Sequence, residues 1–201
     1  MELFVILAIL FFSIILHEVS HGVVAYWNGD STAKVQGRLT LNPFPHVDLA
    51  GTIVLPFLLF TLKAPFLFGW AKPVPFDPRY FRHYRLGLFT VGLAGPAMNG
   101  MLAFLFALGL GLTDPAAAAW PFLRYGVSIN LMLAVFNLIP IPPLDGSRMI
   151  GSFLPLSWRK GLFSLDRWGF LILMALLSLG LLHKVLIPVY EKAFQIFINF
   201  S

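Results

Sequence analysis

The chain of 201 residues contains no cysteine, which excludes disulfides, thiolate chemistry and a cysteine-ligated zinc site. Charge is scarce as well. Asp, Glu, Lys and Arg make up 11% of the residues, against about a quarter in an ordinary soluble domain. With 58% hydrophobic residues and 21 Phe, that deficit points to lipid rather than water as the solvent. The net charge is +5, yet the basic residues are spread through short loops with no dense patch beside stacking aromatics. That distribution fits membrane orientation and argues against nucleic acid as a partner. Internal repeats, low-complexity tracts and interdomain linkers are also lacking, so one integral-membrane domain over residues 1–201 is expected.

What is there is a series of apolar stretches, several of them near the roughly 20 residues that a helix needs to cross a bilayer. The expected spans are about 3–26, 86–112, 122–138 and 168–186. The first could imitate a secretion signal, but Glu2 stands where a basic region belongs and no small-residue cleavage pattern follows, so it reads as a retained helix. Residues 51–68 are apolar yet contain Pro56, Lys63 and Pro65, which predicts a broken or re-entrant segment. In TAKVQGRLTLNPFPH, Val35, Leu39 and Leu41 alternate with polar residues at short spacing, predicting two short strands. The expected fold class is an all-α polytopic membrane protein, a helical bundle with a small β element and a re-entrant segment.

Residues 17–21 read HEVSH, directly after a run of apolar residues. Positions four apart share a helix face, so His17 and His21 can present imidazoles to one ion. Glu18 then lies beside the metal, where it can take a proton from the attacking water. Two histidines and a carboxylate pairing within a bundle would be the bland alternative. An ionisable residue inside a membrane is costly, however, which makes it a functional-site hypothesis by default. A catalytic zinc site needs three protein ligands and an open position. His46, Asp48, His83 and His183 lie in loops or in the last span, whereas Asp145 follows a long apolar helix and the rigid IPIPP break, with Gly146 after it. Asp145 is therefore assigned as the third ligand. A metal transporter would also explain buried ligands, but it gives Glu18 no task.

HEVSHG at 17–22, GPAMN at 95–99 and NLIPIPPLDG at 137–146 together resemble the site-2 protease family of intramembrane zinc metalloproteases. GRLTLNPFPHVDLAGTIVLP and GWAKPVPFDPR resemble its compact prokaryotic branch, and no stretch is long enough for the PDZ domain of some members. The resemblance implies a metalloendopeptidase with one Zn2+ per chain on His17, His21 and Asp145, and Glu18 as general base. Asn137 would hold the substrate backbone or the oxyanion. Read from the residues alone, Asn99 in GPAMN either only bridges helices or serves the site, by hydrogen-bonding substrate or oxyanion near it or by orienting a ligand, while Gly92, Gly95 and Gly100 read as helix-packing positions. Substrates would be transmembrane proteins or peptides in the lipid bilayer. An unwound stretch of substrate is expected to add as a strand to the edge of the 35–41 sheet.

The two halves of the site must meet at one depth. If 51–68 enters and returns, only two helices cross between HEVSH and Asp145, and both halves fall on one side. Lys34, Arg38, Lys72, Arg79, Arg82, Arg85, Arg148, Arg159, Lys160 and Arg167 then share that side, which the positive-inside rule makes cytoplasmic. The expected location is the cell (inner) membrane, multi-pass, with the active site toward the cytoplasm.

Overall fold

A computed structural model of the chain describes residues 2–62 and 71–199. Its α-helices are α1 (Glu2–Trp27), α2 (Thr32–Val35), α3 (Leu55–Thr61), α4 (Tyr84–Gly111), α5 (Trp120–Asn137), α6 (Asp145–Phe153), α7 (Leu156–Ser164), α8 (Gly169–Ser178) and α9 (Leu181–Asn199). Among the described residues, three helical stretches are long and apolar enough to cross a membrane: Glu2–Trp27, Tyr84–Gly111 and the run Leu156–Ser178. At 1.5 Å per residue the 26 residues of α1 span about 39 Å, more than the roughly 30 Å of hydrocarbon in a bilayer.

The central helix is α4, which packs against α1, α5 and α6. Its buried positions include Gly92, Ala94, Gly95, Ala103 and Ala107, and small residues let neighbouring backbones approach closely where lipid supplies no hydrophobic drive. Ala103, Ala107 and Leu110 of α4 form a core cluster with Val127 and Leu131 of α5, against which Tyr190 and Phe194 of α9 pack. The α1 helix stops where Asn28 turns its side chain back to Val24 O at 2.8 Å and Gly29 takes φ 110°. Asn28 also bonds Thr90 Oγ1 of α4, and its carbonyl accepts from Arg82 N at 2.8 Å. The last turn of α1 therefore lies beside the first turns of α4.

The expected β element is not formed: among the described residues there is no strand. Residues 32–35 instead make a single helical turn, ended by Gly37 at φ 65° and by the bond from Arg38 N to Ala33 O. Among the described residues, the chain beyond has no partner able to build a ladder. Prolines stand at 43 and 45, and the facing stretch AKPVPF carries Pro73 and Pro75, none of which has an N–H to donate. One backbone bond joins the two stretches, Lys72 N to His46 O at 2.9 Å. Alternation of apolar residues was a real pattern without donors to realise it, and strand addition to a 35–41 sheet has no sheet to join.

Leu49–Val54 is a π-helical stretch that runs on into α3. The rest of the expected re-entrant segment, from Lys63, lies outside the described residues. Toward the C-terminus, Gly180 at φ 68° divides the stretch 168–186 between α8 and α9, and α9 is tied to α5 through Ser128 and Tyr190 at 2.6 Å.

Candidate metal centre

The site is assembled from α1, α4 and α6. On α1, His17 and His21 stand one above the other, both buried, with their Nε2 atoms 3.1 Å apart. Asp145 is the first residue of α6, reached through Pro140, Pro142 and Pro143, which end α5 because they cannot continue its hydrogen-bond ladder. The connection closes tightly: a Cβ on Gly146 would collide with the carbonyl oxygens of Leu138 and Ile139. That closure brings Asp145 Oδ2 to 3.2 Å from His17 Nε2 and 3.4 Å from His21 Nε2.

These three residues form a group able to hold a metal ion. Ligand atoms at zinc bond lengths of about 2.0–2.1 Å and tetrahedral angles lie about 3.3–3.4 Å from one another, close to the separations of 3.1, 3.2 and 3.4 Å seen here. Asp145 Oδ2 is buried and has no hydrogen-bond partner, which suits an atom reserved for a cation. Around the cluster, a chain of amides settles which imidazole nitrogen is free. Asn130 Nδ2 donates to Gly126 O at 2.9 Å, and that carbonyl can only accept. Asn130 Oδ1 must then receive Asn99 Nδ2 at 3.0 Å, and Asn99 Oδ1 faces His17 Nδ1 at 2.6 Å. His17 therefore carries its proton on Nδ1 and offers the Nε2 lone pair inward. His21 does the same through Nδ1 and Val91 O at 2.7 Å, the usual way in which outer partners orient ligating histidines.

The glycines of α4 take part directly. A Cβ built at Gly95 would lie 2.5 Å from His17 Nε2 and 2.6 Å from His21 Nε2, and one at Gly92 would lie 3.0 Å from Asp145 O. Gly95 thus makes room for the ligands themselves, beyond the helix packing expected of it. Gly100 has nothing within 4 Å of a Cβ.

Glu18, half-buried, accepts the Val74 N–H on Oε2 at 2.9 Å. It lines a hollow of about 120 Å³ together with His21, Asp145, Arg148, Val74, Phe76 and others. An outer hollow of about 360 Å³ shares Val74, Phe76 and Arg148 with it, so the two adjoin. Residues 71–79 form a strap over this side of the site. Val74 packs over Gly22, and Asp77 N donates to Asp30 Oδ2 at 2.6 Å. At the strap's outer corner, hydrogen bonds from Arg79 hold the Asp77 carboxyl below the usual carboxylate range.

The structure brings His17, His21, Asp145 and Glu18 together and places Asn99 against His17. Asn137 stands elsewhere: it is half-buried, its amide donates to Leu133 O of its own helix at 3.0 Å, and it does not line the hollow. Two participants were not singled out from the sequence: Arg148, which lines the hollow, read there as an orientation charge, and Val74 contributes a backbone group that no motif reports.

Comparison with known proteins agrees with this arrangement. Residues 112–180 match the family model "Peptidase family M50". The chain is 40% identical to YwhC of Bacillus subtilis (strain 168), over 88% of this chain and 81% of that protein. It is 33% identical to Rip2 of Mycolicibacterium smegmatis, over 86% of this chain and 66% of that protein. The Rip2 of Mycobacterium tuberculosis (strain H37Rv) is 31% identical over 82% of this chain and 62% of its own length. All three bear the name "Putative zinc metalloprotease". No solved structure matches. With an HExxH helix and a distant aspartate closing on one point, and with relatives matched across most of its length, the chain belongs to peptidase family M50, in its compact, site-2-protease-type form.

Proposed function

We propose that this protein is a zinc-dependent intramembrane endopeptidase that hydrolyses peptide bonds in or near the transmembrane segments of membrane proteins. The convergence of His17, His21 and Asp145 beside Glu18, on a helix long enough to cross a bilayer, carries this reading. One zinc ion per chain would be held by the two Nε2 atoms and the Asp145 carboxylate. When bound, zinc polarises the scissile carbonyl and lowers the pKa of water toward about 7. Glu18 takes the proton from that water and returns it to the leaving amine. The Val74 N–H on Oε2 fixes the carboxylate and leaves Oε1 for the proton. The adjoining hollow exceeds the 10–15 Å³ or so that a water molecule requires.

Asn99 is best read as the residue that orients His17, because both ends of its amide are engaged within the protein. Asn137 keeps its proposed place on the substrate backbone or oxyanion, which requires its amide to exchange Leu133 O for the substrate. A substrate helix has its carbonyls already bonded, so a segment must unwind before one can reach the site.

The same proposal covers the membrane arrangement: one domain, with spans near 3–26, 86–112, 122–138 and 168–186, and 51–68 entering and returning. Along α1, His17 and His21 lie about 22 and 28 Å from Glu2. They thus lie in the half of α1 toward the end that the basic loops mark as cytoplasmic in the inner membrane of the cell. The contact of Asn28 with Thr90 and of Gly92 with Asp145 supports both halves of the site lying by the start of α4. Reporters fused near Ala71 and near Arg159 are expected on the same, cytoplasmic face; opposite faces would overturn the re-entrant arrangement.

The activity is tested with purified protein in detergent. It should carry one zinc per chain and cleave a transmembrane peptide, lose both on chelation, and regain both with Zn2+. Cleavage that survives metal removal would sink the metalloprotease reading, and metal flux into vesicles without cleavage would favour a transporter.

A further inference from the structure

We propose that Arg38 is a positioning residue for the catalytic carboxylate, acting on Glu18 through a single peptide group of the strap. The inference rests on Glu18 being the general base, as proposed above.

Arg38 lies outside α1, in a stretch with no regular structure, and is only 8% exposed. Burying a guanidinium is costly unless its donors are well used, and here Nε is buried with no partner. What the position does secure is the strap. Nη2 donates to Lys72 O at 2.8 Å and to Pro73 O at 3.2 Å. The Pro73 carbonyl and the Val74 N–H belong to one planar, rigid peptide unit, on opposite edges of it. Arg38 grips that unit by its oxygen, and Glu18 Oε2 receives its hydrogen at 2.9 Å. The tilt of one peptide plane thus sets where the Glu18 carboxylate can rest. A cation on the oxygen also polarises the N–H toward the carboxylate, because hydrogen bonds in series strengthen each other in a low-dielectric interior.

The surrounding sequence leaves this unit no substitute. Pro73 and Pro75 flank Val74, so within 73–75 the Val74 N–H is the sole backbone donor, and Glu18 uses it. Further anchors hold the strap at Lys72 N and at Asp77 N, on either side of the Pro73–Val74 plane. They keep the strap in place when Arg38 is changed but leave the plane free to rotate.

The test uses the full chain in detergent, with zinc content and thermal unfolding followed beside kinetics. Arg38→Gln is expected to lower kcat by about 10- to 100-fold, the usual cost of losing an outer orienting partner, with zinc content unchanged and KM within about two-fold of wild type. Arg38→Lys, which keeps a charged donor, should recover part of the loss. Val74→Pro deletes the N–H and should lose kcat similarly. Because Arg38 and Val74 act along one path, the double variant Arg38→Gln/Val74→Pro should be no slower than Val74→Pro alone. Losses that multiply in the double variant, or a folded, zinc-loaded Arg38→Gln with wild-type kcat, would overturn the proposal. If Arg38→Gln does not fold, Arg38→Lys replaces it in the same cycle. A Glu18→Gln protein that still turns over at the wild-type rate counts instead against the general-base reading.

Discussion

Glu18→Gln is expected to lower turnover by about 10²- to 10⁴-fold while the protein keeps one zinc per chain. The amide is nearly the same shape as the carboxylate, and its oxygen can still accept the Val74 N–H that now reaches Oε2 at 2.9 Å, so the strap should stay where it is. His17, His21 and Asp145 make no bond through Glu18. What the substitution removes is the ability to take and return a proton. General acid–base groups typically contribute about 10²- to 10⁴-fold to rate, and the loss should fall in that range. Metal analysis and single-turnover cleavage of a transmembrane peptide, run on one preparation, check both halves. A variant that loses its zinc together with activity would move Glu18 from proton transfer to metal retention; one that keeps the wild-type rate would leave the hydrolytic role to some other group.

The second large effect comes from adding one methyl group. Ala for Gly inside a helix ordinarily stabilises by about 0.5–1 kcal/mol, and Gly100→Ala on α4 should behave this way, with nothing within 4 Å of the new Cβ. Gly95→Ala, on the same helix, should do the opposite. Its Cβ would stand 2.5 and 2.6 Å from the two histidine Nε2 atoms, where real carbon atoms are not found. Those rings are held from behind by Asn99 and Val91 O at 2.6 and 2.7 Å, so they can retreat only by breaking the bonds that aim them. The expected result is a loss of zinc affinity of at least about 100-fold, with cleavage falling alongside it. Calorimetric zinc titration of the two alanine variants measures this. Equal affinity in both would mean that α4 can shift away from α1 at little cost.

The histidine pair, the glutamate beside it and the aspartate after the proline break were legible because each depends on local spacing: the i, i+4 rule, and a helix that three prolines must end. The apolar helices were legible for the same reason. The small β element was misread because strand formation is decided by the partner, and the stretch opposite 38–46 offers prolines where a ladder needs donors. Arg38 looked like a loop charge, since nothing near it in sequence says that its side chain reaches residues 72 and 73. Asn99 could be suspected, but the relay through Asn130 to Gly126 joins α4 to α5 and appears only once those helices are packed. Gly95 was read for its freedom to pack, whereas the space it leaves is filled by imidazole.

Because one pair of ligands sits near the start of the chain and the third comes at Asp145, a bound ion works as a clasp between distant stretches of the molecule. Opening the bundle must then also release the ion. Free zinc at a hundred times its dissociation constant would add about 2.7 kcal/mol to the work of unfolding, so in this protein resistance to heat and competence for chemistry should rise and fall with the same concentration of metal.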